Sequence, residues 1–455
     1  MSSLERQHTE TFSAKSTDLT PQARRAIWGA FIGFFVDNYD IFLPIIALAP
    51  AMAYFIPKTI DPTTGAIASA MIFATTLIGR PVGAFIFGHF ADTIGRKQTT
   101  IISVTGFGVV TLFIALLPGY EHWGAAVIYI FIALRLVDGI FLGGEYTSAN
   151  PLAMEHCPQP KRGLYGAVIQ SAASLGTAAI SLVTLAVLLV LPAGGPDAPY
   201  VQWGWRIPFL VGAAMAFGLA IYYQRSVEES EMWRKSSHTT SPLKTLFQGE
   251  NLKSFLQVFT VMTGFWLSLN ASLAVMPALL ATQMGVRGTD LTIALVIAYV
   301  VLAIVYIIGG AVSQRIGRRN YLMVMSALSA VLGTYFYYQL INTAPGNFAK
   351  IVLLSTVTTV LVVAPGALGT VYINERFRTG VRASGFGLGY SLAIVLPAFY
   401  VFYQAALANI MPFKYTVLVL VIVGALLIFI GAAWGPETKD VDFGAATPPG
   451  ERKQS

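Results

Sequence analysis

The chain has 455 residues, of which 55% are hydrophobic and only 11% charged, and its formal net charge is +7. That composition excludes an ordinary soluble protein, and its long continuous apolar runs point to membrane-crossing helices, which satisfy their own backbone in lipid. The cation distribution excludes nucleic acid as the partner: with loops assigned alternately, 22 of the 29 Lys and Arg fall on one membrane face and 5 on the other, while Arg80 and Arg135 lie inside predicted spans. This bias is the positive-inside rule, and it predicts an inner (plasma) membrane protein with both termini in the cytoplasm.

Residues 1–25 are polar and lack the apolar core of a cleavable signal, so the first span is expected to direct insertion. Twelve spans are predicted, at 26–52, 66–91, 98–118, 122–146, 163–192, 205–224, 254–282, 290–314, 320–341, 348–373, 384–409 and 412–435. The polar stretch 225–252 reads as a cytoplasmic linker between bundles 26–224 and 253–435, and residues 436–455 as a cytoplasmic tail. The expected fold class is therefore all-α, with twelve transmembrane helices in two pseudo-symmetric six-helix bundles. The single Cys157 falls in a predicted cytoplasmic loop, so there is no disulfide framework.

In the first span, Asp37 and Asp40 stand three residues apart and share one helix face, with Asn38 and Tyr39 between them. Charges within a membrane helix cost about 2.5–3.5 kcal/mol each on insertion scales and persist where they function or pair. The two acids either handle protons or substrate, or neutralise Arg80 and Arg135. Arg80 precedes Pro81 in the second span and is suited to a bidentate grip on a carboxylate. An ion pair with Asp37 or Asp40 is the alternative. A glycine-flanked charged turn follows, Gly88 to Lys97, with Asp92, Gly95 and Arg96 between. It has a counterpart 222 positions on, Gly310 to Arg319, containing Arg315, Gly317 and Arg318. Glu155 and Arg162 are likewise repeated as Glu375 and Arg382, at an offset of 220. Two echoes at nearly one offset imply homologous halves, the pattern of a secondary transporter.

In the fourth span, Arg135, Asp138 and Glu145 lie within roughly 80° on a helical wheel, and Gly139 and Gly143 form a strip for close packing. The second half is almost uncharged within its spans. Its candidates are Trp266 and Asn270 in span seven, Tyr299 and Tyr306 in span eight, and Tyr390 in span eleven. His89 and His156 read as solvated polar residues. No Walker-type loop, zinc-ligand cluster or nucleophile elbow occurs, so neither an ATP-driven pump nor an enzyme is expected, and no metal or organic cofactor.

The stretch Gly88–Lys97 resembles the signature loop between helices 2 and 3 of the major facilitator superfamily. Thr93 and Gln314 depart from its acid-then-cation centre. Residues 135–145, Arg-Leu-Val-Asp-Gly-Ile-Phe-Leu-Gly-Gly-Glu, together with Arg80-Pro81-Val82-Gly83, resemble the metabolite:proton symporter family, with Asp138 where glutamine is usual. Residues 382–387 and 436–440 resemble sugar porters, and the acid pair in span one is similar to that of the aromatic-acid:proton symporters.

The resemblance implies proton-coupled uptake of a small organic acid (aromatic, hydroxylated or dicarboxylic) by a chain working as a monomer in the bilayer, with protons as the coupling ion. It implies proton coupling through Asp37, Asp40, Arg135 and Asp138, and a cavity lined by spans one, four, seven and ten. Arg80, Arg135, Tyr39, Trp266, Asn270 and Tyr390 would meet substrate. Gly88, Asp92, Gly95, Arg96, Lys97, Glu145, Arg315, Gly317 and Arg318 would form the gate, with Asp92 approaching Ser384 and Gly385. The alternatives are a sugar or polyol carrier or an efflux carrier of the same fold. A metabolite receptor that does not transport is a further alternative.

Overall fold

The computed structural model describes residues 19–56, 62–235, 242–286 and 288–443. The expectations for the outer parts of both tails, for 236–241 of the linker and for Arg287 lie outside the described residues. Eleven helices among the described residues are long and apolar enough to cross a membrane. They are α1 (Pro21–Leu48), α3 (Arg96–Ala115), α4 (Ala126–His156), α5 (Gln159–Val190), α6 (Tyr200–Ser226), α7 (Gly249–Thr282), α8 (Gly288–Ile316), α9 (Arg318–Ile341), α10 (Phe348–Arg376), α11 (Thr379–Leu407) and α12 (Phe413–Trp434). The remaining span is α2, the 32-residue helix Pro62–Thr93.

Local chemistry sets the helix ends. Thr20 caps α1 by accepting the Ala23 amide at 3.1 Å, with Pro21 at the first helical position. Gly95 and Gly317 hold φ angles of +112° and +98° at the starts of α3 and α9, a region glycine enters without penalty. The amides exposed beyond these glycines are capped by acids from distant segments. Glu229 accepts the Lys97 amide at 3.0 Å, and Glu437 accepts those of Arg318 and Arg319 at 2.8 and 3.1 Å.

Glycines also fix the packing. On α2, Gly79 and Gly83 lie against the α4 backbone at Leu136 and Ile140, while Gly139 and Gly143 of α4 lie against the α2 backbone at Thr76 and Arg80. A Cβ at any of the four would meet main chain, so the two helices are in backbone contact. The halves meet chiefly where α5 runs along α8 and where α2 and α4 pack on α11. Gly88 allows the last approach, since a Cβ there would stand 3.1 Å from the Ser384 Cα.

Two spans differ instructively from expectation. α4 continues ten residues beyond 146, because Thr147, Ser148 and Asn150 are buried against other helices rather than released to water. α10 similarly carries Glu375 and Arg376 inside its last turn. Large apolar side chains such as Leu189, Val331 and Phe402 cover the periphery, whereas Asp37, Arg80, Arg135, Asp138 and Glu145 are fully buried. An apolar exterior around an ionic interior is the inverse of a soluble protein and matches lipid as the surrounding solvent.

Candidate functional site

Asp37 and Asp40 lie on adjacent turns of α1, and each meets a different arginine. Arg80 of α2 donates from Nη1 and Nη2 to the two carboxyl oxygens of Asp37 at 3.1 and 2.9 Å. Arg135 of α4 donates to Asp40 Oδ2 at 2.9 Å and to the Asp40 carbonyl at 3.3 Å, and its Nε donates to Thr76 at 2.8 Å. Its Nη1 also stands 2.9 Å from Asp138 Oδ2. Thr111 of α3 donates to Asp40 Oδ1 at 2.9 Å. The glycine-mediated contact of α2 and α4 brings both arginines to α1.

These clusters differ in charge balance. Arg80 and Asp37 form a one-to-one fork, the strong geometry for guanidinium and carboxylate. Arg135 faces two carboxylates and is fully buried with them. One cation cannot neutralise two anions away from water, so with both acids ionised the second cluster carries one uncompensated negative charge.

A narrow cavity lies between the halves. From the first half it is lined by Asn38, Gln170, Ser174 and Thr177, and from the second by Trp266, Asn270, Tyr306 and Tyr390. It leaves about 20 Å³ open to the centre of a water molecule, room for a water rather than for an organic acid. Asn270 opens a widened π turn, Asn270–Ala274, and donates to the Pro397 carbonyl at 3.0 Å. Trp266 Nε1 donates to the Tyr390 carbonyl at 3.0 Å. The Tyr390 ring packs 4.9 Å from Trp266 and 4.2 Å from Tyr146, and Arg80 lies 5.9 Å from the Tyr146 ring centre. The Tyr146–Tyr390 pair therefore connects Arg80 to the cavity wall.

A second polar layer closes the cation-rich end. Asp92 accepts the amides of Ala383 and Ser384 at 3.3 and 3.0 Å and the Ser384 hydroxyl at 2.7 Å. Glu155 gathers Arg96, Arg382 and the Ser230 hydroxyl. Arg96 also donates to the Thr379 carbonyl at 3.0 Å. On the pseudo-symmetric side, Glu375 accepts Arg318 Nε and Nη2, each at 3.2 Å, and the Thr438 hydroxyl at 2.7 Å. Cys157, between α4 and α5, is buried beside this layer, and desolvation pushes its thiol up to about 12.

The expected residues thus fall into three places. Asp37, Asp40, Arg80, Arg135 and Asp138 come together in the buried clusters. Trp266, Asn270, Tyr390 and Tyr306 line the cavity, while Tyr299 is buried in α8. Gly88, Asp92, Gly95, Arg96, Lys97, Gly317 and Arg318 lie at the cation-rich end. Three are placed elsewhere than expected. Tyr39 donates to the Pro208 carbonyl at 3.1 Å, within the contact of α1 with α6, and does not line the cavity. Glu145 is buried among α1, α4 and α6 rather than in the polar layer. Arg315 is exposed; Gln314 beside it makes the contacts, accepting the Gly163 amide at 3.1 Å and Arg318 Nη2 at 2.8 Å.

Sequence reasoning missed Glu155 and Glu375 as network centres, although their repetition was the signal. It also missed Glu229-Ser230, which recurs as Glu437-Thr438 with matching contacts. Tyr146 and Gln170 escaped because isolated aromatics and amides in apolar runs carry no spacing signal. Among the described residues no group of three or more His, Cys, Asp and Glu could hold a metal ion.

The family described as "Sugar (and other) transporter" matches residues 26–236 and 223–447. The chain is 27% identical over 413 residues to the inner membrane metabolite transport protein YhjE of Escherichia coli, covering 88% of this chain and 91% of that protein. It is 28% identical over 392 residues to the citrate-proton symporter of Salmonella typhi, covering 83% and 86%. Among solved structures, the proton:xylose symporter XylE superposes with a TM-score of 0.71 at 16% identity, covering 92% of this chain and 97% of that one. The fold is that of the major facilitator superfamily.

Proposed function

Since the chain belongs to the sugar (and other) transporter family, we propose that it carries a small organic acid together with protons by alternating access. The family consists of transporters rather than enzymes, so no residue here is assigned a catalytic role. The observation that carries the reading is the paired use of two buried arginines. Arg135 shares a site with two carboxylates, and Arg80 forks onto Asp37 beneath the cavity. A similar protein named a citrate-proton symporter supports the same pairing of acid and proton.

In this reading the Asp40–Arg135–Asp138 cluster holds the coupled proton. Arg80 meets the substrate carboxylate once Tyr146 and Tyr390 part. Trp266, Asn270 and Tyr390 supply shape, stacking and hydrogen bonds from the second half. The cation-rich end faces the cytoplasm, in line with the positive-inside bias. Its Asp92 and Glu155 layer is the inner gate, closed in the conformation described. The protein works in an inner membrane as a single chain.

One feature of the cavity favours a narrower version. Its direct lining is uncharged and mostly apolar, with Ile41, Phe42, Leu77 and Leu273 among the walls. The amides and hydroxyls of Asn38, Gln170, Ser174, Thr177 and Asn270 set into it suit hydroxyl groups as well as a carboxylate. A hydroxylated acid fits both the lining and Arg80, and a sugar or polyol fits the lining alone. Purified protein in liposomes, offered benzoate, glycerate, succinate, citrate and xylose with and without an inward pH gradient, tests the reading. Accumulation of an acid that follows the gradient is expected. Gradient-independent equilibration of xylose, with no acid taken up, would replace this reading with the polyol one.

A further inference from the structure

Among the described acids of the first-half spans, Glu145 is used neither by the two arginine clusters nor by the Asp92 and Glu155 layer. It is fully buried, and neither carboxyl oxygen has a hydrogen-bond partner. The side chain occupies a notch in α1. A Cβ on Gly33 would collide with Glu145 Oε1 and lie 3.2 Å from its Cδ, with Leu219 of α6 3.6 Å from the same point. The charged and titratable groups acting on it are Asp37 of α1, Arg80 of α2 and Tyr223 of α6. The Tyr223 hydroxyl is itself buried without a partner, beside Gly29, one turn from Gly33.

A bare carboxylate in this position would be stripped of water with no donor in exchange. The buried acids Asp37, Asp40, Asp92, Asp138, Glu155 and Glu375, by contrast, each have an arginine beside them. Among the described residues the cation acting on Glu145 is Arg80, and both its Nη atoms are already committed to Asp37. The neutral acid is the form that suits such a pocket, and the notch at Gly33 provides its room.

We propose that Glu145 is a second proton-binding carboxyl, separate from the Asp40–Arg135–Asp138 site, loaded in this conformation and discharged when the cation-rich end opens. The proposal rests on the transport reading above. It adds that each cycle moves one proton more than the Arg135 cluster alone accounts for. The proton bound by the Glu145 carboxylate on one face leaves it on the other, with no further co-reactant. Glu145 and Asp37 both act through Arg80, so arrival of an anion at that guanidinium alters the proton affinity of both acids together.

Glu145→Gln keeps the shape of the protonated acid and removes the exchangeable proton, so it is expected to fold. Two measurements on the full chain decide the matter. The infrared carbonyl band of protonated carboxyls in purified protein should lose one component in Glu145→Gln. In liposomes loaded with a pH-sensitive dye, the proton-to-substrate ratio for citrate, or for whichever panel acid the wild type accumulates, should fall by one. Loss of proton movement already in the wild type would overturn the coupling itself. A coupled wild type beside an unchanged ratio or an unchanged carboxyl band in Glu145→Gln would overturn the assignment to Glu145 alone.

Discussion

Asp92, at the end of α2, accepts both the amide and the hydroxyl of Ser384, at 3.0 and 2.7 Å, and so joins the first half of the molecule to the first turn of α11. The unpaired amides and dipole of that helix end favour an anion. The pseudo-symmetric contact uses a neutral amide, Gln314 Oε1 to the Gly163 amide at 3.1 Å. The charged contact should therefore hold the end closed more strongly than the neutral one. Asp92→Asn should weaken the closed state by about 1–2 kcal/mol, and Gln314→Ala should do less. Distances between spin labels across α2 and α11 would read the shift, and equal effects of the two variants would refute the asymmetry.

Glu155 holds Arg96, Arg382 and Ser230 at once, linking three segments in a fully buried network. Its replacement by Gln leaves the buried Arg382 without its ion-pair partner and Arg96 with only the looser 3.5 Å pair to Asp92. Removing one partner of such an arrangement costs about 3–5 kcal/mol. Glu155→Gln is expected to melt at a markedly lower temperature and to favour the opposite conformation. A melting curve like that of the wild type would show that water compensates the arginines.

Much of this was legible in the sequence, and the losses have physical causes. Apolar runs marked the spans because lipid tolerates little else, and the cations marked the loops. The end of α4 was misjudged at 146 because Thr147, Ser148 and Asn150 look like residues leaving a bilayer. They are instead buried in contact between halves, where Thr370 donates to Asn150 Oδ1 at 3.2 Å and Thr147 fills the space beside Gly387. Arg315 was expected in the gate because charge is conspicuous. Its neighbour Gln314 points inward instead, a choice of helix face that a single charged letter does not reveal. The acid pair of α1 was read correctly as one face, but which arginine each acid meets depends on how α2 and α4 pack.

Phe443 is held between two arginines from opposite halves. The Arg162 and Arg382 guanidinium carbons lie 3.5 and 3.8 Å from its ring centre, and Thr379 donates to its carbonyl at 3.1 Å. Stacking on a desolvated ring contributes about 2 kcal/mol. Phe443→Ala should loosen the cation-rich end by about that amount, while Phe443→Tyr should preserve it. Proteolysis of the α4–α5 connection would report the difference. Equal protection in all three proteins would show that the ring only packs.

Cys157 offers a probe of the same end. Its buried thiol is raised to about 12 chiefly by desolvation, so at neutral pH almost none is present as the reactive thiolate. Maleimide should label it slowly in the closed wild type and faster in Asp92→Asn, with the rate rising as pH approaches that value. Rapid labelling of both proteins at neutral pH would contradict the closed arrangement.

The Arg135 cluster carries the sharpest prediction. With Asp40 and Asp138 sharing one guanidinium, neutralising either acid leaves a balanced pair, so Asp138→Asn and Asp40→Asn should both fold. Asp40 makes the closer set of contacts, to Arg135 and Thr111, so its variant should lose more stability. Arg135→Gln leaves two carboxylates without a counter-ion and should be the least stable of the three, by about 3–5 kcal/mol. The functional outcome separates coupling from binding. If the shared proton drives accumulation, at least one aspartate variant should still exchange substrate for substrate across a liposome while failing to concentrate it under a pH gradient. Arg80→Gln should depress exchange and accumulation alike, because Arg80 is assigned to the substrate carboxylate. Aspartate variants that both concentrate substrate as well as the wild type would place the proton outside this cluster.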